Sequence, residues 1–126
     1  MSSCARPLFM INASDQKLLL FKDKSVVDSI ALFTNSHLEY KLLGSTLYYT
    51  DNLVTPGRLN LNLYKVEIEH DKFRKPLVSH LGSYDMDYWL LERIKIKNNE
   101  VLLKVTQVGE GLTTTKKFSL DSLFQK

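Results

Sequence analysis

The feature that most constrains the fold is segment 88–108, in which apolar and polar residues alternate on both sides of Asn98-Asn99. Alternation of this kind is typical of β-strands that bury one face. Asparagine tolerates a positive φ angle, so the pair predicts a type I′ turn and an antiparallel hairpin. The register of a two-residue turn places the apolar residues of both strands on one face. The predicted pairs are Lys97–Glu100, Ile96–Val101, Lys95–Leu102 and Ile94–Leu103.

A second hairpin is predicted around Gly44-Ser45. Glycine at the first turn position is typical of a type II′ turn, because that position needs a positive φ angle. The resulting register again keeps apolar and aromatic side chains together on one face. The predicted pairs are Leu42–Leu47 and Tyr40–Tyr49.

Segment 58–69 predicts a long strand whose apolar phase shifts once. Leucine alternates with asparagine through Leu59–Leu63, and the apolar positions then move to Tyr64, Val66 and Ile68. Such a shift predicts a β-bulge, or a strand that bends between two sheet faces.

Segment 25–33 leaves two alternatives open. Val26, Ile30 and Phe33 have helical spacing, whereas the β-branched pair Val26-Val27 favours a strand, which we predict. Together the elements predict an all-β fold that can include one short helix: a small antiparallel barrel or a strongly bent sandwich, OB-like or PH-like in size. We expect one domain over residues 1–126, with an ordered core from about residue 8 to residue 124.

Composition narrows the functional classes. Of the 126 residues, 44% are hydrophobic and 25% are charged, which is typical of a globular domain. The net charge of +3 is low for a protein dedicated to duplex nucleic acid. The only cysteine, Cys4, cannot form an internal disulfide. Without a leader or a membrane-spanning run, the sequence predicts a cytoplasmic or nuclear protein with no membrane association.

Catalytic motifs are absent from the sequence. It has no glycine-rich phosphate loop, no nucleophile elbow, and no HExxH or CxxC motif. His70 and His80 have no standard metal-ligand spacing, and Asp85 and Asp87 fall in a predicted loop. We therefore predict a protein that is not an enzyme and that needs no metal or cofactor.

The most distinctive segment is 84–89, which holds two tyrosines, a methionine and the only tryptophan. Continuing the alternation of the last hairpin backwards puts Tyr88 and Leu90 inside and turns Trp89 and Leu91 outward. Outward aromatic and apolar side chains are typical of protein interfaces. The predicted partner-binding residues are Trp89, Leu91, Tyr84 and Met86.

The basic residues support an alternative function. Cations spaced two apart along a strand, beside aromatic rings, are typical of barrels that bind single-stranded nucleic acid. The candidate nucleic-acid-binding residues are Arg93, Lys95, Lys97, Lys104, Lys72, Arg74 and Lys75, with Tyr48, Tyr64 and Trp89 as candidate stacking rings. The first hypothesis is a non-catalytic interaction module, a subunit or adaptor of an intracellular hetero- or homo-oligomeric complex. The alternative is an OB-like nucleic-acid-binding protein.

Overall fold

The computed structural model describes residues 9–14, 16–32 and 38–124, and these residues form an all-β fold with one short helix. The strands are β1 (Phe9–Ser14), β2 (Lys17–Lys22), β3 (Ser25–Ala31), β4 (Tyr40–Leu43), β5 (Thr46–Thr50), β6 (Leu53–Thr55), β7 (Arg58–Glu69), β8 (Lys72–Phe73), β9 (Leu77–Asp85), β10 (Trp89–Lys97), β11 (Glu100–Gln107) and β12 (Thr113–Ser119), followed by α1 (Leu120–Leu123). The segment that left two alternatives is thus a strand over 25–31, and Phe33 lies outside the described residues.

The strands form three antiparallel sheets. The N-terminal sheet has the order β1-β2-β3, and the C-terminal sheet has the order β10-β11-β12. The central sheet is built around β7, which pairs with β5, β6, β8 and β9, while β4 pairs with β5. Within the described part of the chain, no sheet closes into a barrel.

Both predicted hairpins are confirmed in their register. The four pairs predicted around Asn98-Asn99 and the two predicted around Gly44 all occur. The predicted type I′ turn is wrong, because only Asn98 of the asparagine pair has a positive φ angle, of 56°. Two consecutive positive φ angles occur instead at Asp23-Lys24, between β2 and β3, and at His70-Asp71, between β7 and β8.

The phase shift in β7 separates two hydrophobic cores. Leu61 and Leu63 are fully buried, and so is Val66, which points to the opposite face of the strand. The pairing of β7 with β5 has no register shift from Leu63 to Glu67, whereas its pairing with β9 shifts between Leu61 and Asn62. The bulge in this sheet lies on β9, where Leu81 is the extra residue. The phase changes because β7 buries opposite faces in its two halves.

The two cores lie on opposite sides of the central sheet. The C-terminal core joins the central sheet to the C-terminal sheet and α1, and the N-terminal core joins it to the N-terminal sheet. The C-terminal core contains Tyr48, Leu61, Leu63, Leu81, Leu91, Ile94, Ile96, Val101, Leu103, Val105 and Leu120. The N-terminal core contains Leu18, Leu32, Leu47, Tyr49 and Val66. The sheets therefore stack as three layers, which leaves the outer face of each flanking sheet uncovered by the described residues.

Candidate binding surface

The outer face of the C-terminal sheet is the candidate site, and its residues are fixed by the registers of three strands. Ile94, Ile96 and Leu103 point into the core, so the residues between them point outward. The outer face then carries three cross-strand rows. They are Arg93–Lys104–Thr115, Lys95–Leu102–Lys117 and Lys97–Glu100–Ser119.

These rows concentrate positive charge. They contain five cations, Arg93, Lys95, Lys97, Lys104 and Lys117, and one carboxylate, Glu100. In the described part of the chain, none of the five forms an ion pair, not even Lys97, which faces Glu100. Like charges that face each other across two strands destabilise a sheet. The free protein therefore maintains an unfavourable arrangement that an acidic partner would relieve.

The central part of this face is concave. An open groove of about 280 Å³ is lined by Arg93, Lys95, Lys97, Leu102, Lys104 and Thr115. Leu102 is the only apolar residue among the described residues of this lining, and four of the other five can donate charge-assisted hydrogen bonds in several directions. The groove is therefore suited to an anionic group.

The same outer face becomes apolar toward the start of β10. Tyr88 is 60% exposed, Leu90 53% and Val108 53%. Leu90 pairs with Thr106 on this face, and the backbone holds Val108 beside Tyr88, because Val108 N donates to Tyr88 O at 2.7 Å. We call these three residues the apolar end of the face. Grouped exposed apolar side chains are typical of interaction sites.

The predicted orientation of Trp89 and Leu91 is wrong. Leu91 is only 6% exposed and belongs to the C-terminal core, and Trp89 packs against the same core. The reason is a bulge in β10: Leu91 pairs with Val105 and Arg93 with Lys104, which leaves Glu92 as an extra residue. An extra residue inverts the alternation on one side of it. Tyr88 and Leu90, predicted inside, are therefore the outward residues.

The other two predicted partner-binding residues lie close to the bulged strand. The ring of Tyr84 makes an edge contact with Trp89, with centroids 5.8 Å apart, and packs against the C-terminal core. Met86 is exposed, in the turn between β9 and β10. Of the four residues, only Met86 is exposed; their role in partner binding stays a prediction.

The predicted nucleic-acid-binding residues fall into two separate groups. Arg93, Lys95, Lys97 and Lys104 share the outer face, whereas Lys72, Arg74 and Lys75 lie on or after β8, beside the far end of β7. Acidic residues surround the second group. Arg74 pairs with Glu69 at 3.1 Å, and Asp28 accepts a hydrogen bond from Phe73 N at 2.7 Å. This second group is therefore partly neutralised.

The candidate stacking rings pack against other residues of the protein. Tyr64 stacks on Tyr49 with centroids 5.0 Å apart, and Tyr48 is buried against Phe124. Burial, followed by nearby negative charge, raises the pKa of Tyr48, Tyr49 and Tyr64 above the usual value. With Trp89 also facing the core, none of the three proposed rings lies on the basic face. Tyr88 is the aromatic residue next to it.

The carboxylates and histidines considered for catalysis have local structural contacts. Asp85 Oδ1 accepts a hydrogen bond from Asp87 N at 2.9 Å, within the turn that precedes β10. His80 Nδ1 lies 3.0 Å from Asn62 Oδ1 across β7 and β9. His70 has a φ angle of 54° and occupies a hairpin turn. No three histidine, cysteine, aspartate or glutamate residues within the described ranges group closely enough to hold a metal ion. Cys4 lies outside those ranges.

Comparison of the chain with protein-family models, with curated proteins and with solved structures finds no match. The described residues also contain no helix that is long and apolar enough to cross a membrane. Any statement about function must therefore come from the surface itself.

Proposed function

We propose that this chain is a non-catalytic protein-interaction module, a subunit or adaptor of an intracellular complex, and that it binds its partner through the outer face of the C-terminal sheet. The observation that carries the proposal is the joint presence, on one sheet face, of three exposed apolar residues and five cations that form no ion pair within the described part of the chain. A sheet backed by a hydrophobic core presents these side chains in fixed positions, so binding costs little ordering entropy.

The chemistry of the face specifies the partner. The cations favour an acidic surface, because complementary charge increases the association rate and selects against basic partners. Tyr88 and Leu90 favour apolar side chains on the partner, since buried aromatic and aliphatic anchors supply most of the energy at interfaces. A segment that combines acidic and apolar residues would satisfy both ends of the face.

A second candidate function is binding of single-stranded nucleic acid. Arg93, Lys95 and Lys97 follow one strand at intervals of about 6.6 Å, an arrangement that can track a phosphate backbone. Against it, Tyr88 is the only described residue that offers a ring beside the basic rows, and no sheet of the described residues closes into the OB-like barrel expected for such a protein. Binding to labelled single-stranded oligonucleotides that weakens as salt rises would support this function, and absence of binding at low salt would exclude it.

Co-purification from the native host, analysed by mass spectrometry, tests the first proposal. The informative variant combines Leu90→Ser with Lys104→Gln on the binding face. Its matched control combines Val26→Ser, at a residue 52% exposed on the N-terminal sheet, with Lys75→Gln. We expect a protein that the wild type and the control capture and that the binding-face variant loses. Capture of no stable partner, or an equal yield with all three proteins, would contradict the proposal.

A further inference from the structure

The row Arg93–Lys104–Thr115 brings three different hydrogen-bond donors together at the groove. Each residue lies directly opposite the next on three adjacent strands. Neighbouring strands are about 4.8 Å apart, so the three side chains can converge on one small group. Lys95, diagonal to Lys104, adds a fourth donor from the adjacent row.

The donors in this row are not engaged within the described part of the chain. Arg93 and Lys104 form no ion pair there, although Glu92 precedes Arg93 in the bulge. The Thr115 hydroxyl also forms no hydrogen bond there, whereas the neighbouring hydroxyls of Thr106 and Thr113 lie 2.9 Å apart and bond to each other. The three donors are therefore available to a ligand.

The combination of side chains discriminates between anions. A guanidinium fork, an ammonium group and a hydroxyl supply donors in different directions, which suits a tetrahedral group with three acceptor oxygens better than a planar carboxylate. A phosphate monoester also carries a charge of about −1.5 to −2 at neutral pH, against −1 for a carboxylate. Arg93 and Lys104 face each other and Lys95 lies on the diagonal, so this group of three cations favours the anion with the higher charge.

We propose that Arg93, Lys104 and Thr115 bind a phosphorylated side chain of the protein partner. This inference rests on the proposed function, and it names the group that the partner presents to the groove. The apolar end then contacts partner residues on one side of the phosphorylated position, because Leu90 and Arg93 lie on either side of the bulge in β10. A protein partner is favoured over nucleic acid because Leu90 and Val108 are aliphatic, which leaves Tyr88 as the single described ring at this end on which a base could stack.

Backbone amide chemical shifts, followed by NMR during peptide titrations, test this inference. The probes are three peptides of identical sequence with leucine and aspartate around a central phosphoserine, glutamate or serine. We expect the phosphoserine peptide to shift the amides of Arg93, Lys104 and Thr115 and to bind at least about ten-fold more tightly than the glutamate peptide. Lys104→Gln should abolish this preference, and Lys75→Gln, which removes an equal charge from another surface, should retain it.

Three outcomes would overturn the inference. Equal binding of the glutamate and phosphoserine peptides would exclude phosphate recognition and leave the acidic partner of the proposed function standing. Shifts that map outside the groove would exclude this site. Tighter binding of a single-stranded oligonucleotide or of anionic lipid vesicles than of the phosphoserine peptide would assign the groove to those ligands. The proposed function is tested separately, by the co-purification comparison.

Discussion

Removing one charge from the basic face should stabilise the free protein, although it removes a residue proposed to bind the partner. Lys104 lies directly opposite Arg93 and diagonal to Lys95 and Lys117. Replacing it with glutamine keeps a side chain of similar length on the exposed face and removes one unit of charge. The C-terminal core on the other side of the sheet is unaffected.

The magnitude follows from the geometry of the rows. Two unit charges about 7 Å apart in water repel each other by about 0.6 kcal/mol, and each diagonal neighbour adds less. Lys104→Gln should therefore raise the free energy of unfolding by about 1 kcal/mol at low ionic strength. At about 0.15 M salt the gain should fall by half or more, because the Debye length is then about 8 Å.

Chemical denaturation of the wild type, Lys104→Gln and the control Lys75→Gln, each at low and at high salt, measures this gain. Lys75 is exposed after β8 and faces no row of cations, so we expect little change in its variant. A destabilised Lys104→Gln variant, or a gain that salt leaves unchanged, would refute the idea that repulsion on this face opposes folding.

Three further predictions test the fold that presents the face. Leu47→Ala and Leu63→Ala, fully buried in the N-terminal and C-terminal cores, should each lower the free energy of unfolding by about 2–5 kcal/mol in urea denaturation, and a negligible loss at either would contradict the two-core arrangement. Deleting Glu92 should leave the fluorescence emission maximum of Trp89 unchanged, because the deletion removes only the extra residue of the bulge. A red shift would mean that β10 has no bulge in the wild type and that the deletion has turned Trp89 outward. Burial first, and then the negative charge of its neighbours, raises the pKa of Tyr49. The neutral ring therefore stabilises the fold below pH 10, and this contribution is lost as the pH rises above about 10. Tyr49→Phe should reduce the alkaline loss of stability, and an unchanged pH dependence would contradict this.

Local patterns in the sequence predicted the hairpins correctly. The pairing of Ile96 with Val101 follows from the parity of a two-residue turn, which needs no knowledge of the rest of the chain. The turn type was wrong because it requires a positive φ angle at both asparagines, and Asn99 does not adopt the left-handed region that asparagine tolerates but does not require. The phase shift in β7 was visible, but its cause is long-range, since it requires a separate sheet to cover Val66.

The binding face could be predicted only in part. Arg93, Lys95, Lys97 and Lys104 were found because they lie within the predicted hairpin. Thr115 and Lys117 were missed because the register of β12 depends on the loop 108–112, which has no simple turn pattern.

The apolar end was missed for a different reason. The bulge at Glu92 inverts the inward and outward alternation of the side chains that precede it in β10. A prediction from regular alternation therefore placed Tyr88 and Leu90 in the core. The adjacent apolar residues Leu90 and Leu91, followed by two charged residues, were the available signal for that bulge.

Hydroxyl-radical footprinting of the complex purified from the native host tests the central claim most directly. Tyr88 and Leu90 on the binding face are matched in exposure by Met10 and Val26 on the N-terminal sheet, which are 63% and 52% exposed. Our account predicts that partner binding protects Tyr88 and Leu90 from labelling and leaves Met10 and Val26 as reactive as in the free protein. Protection of Met10 and Val26 with unchanged labelling of Tyr88 and Leu90 would contradict it.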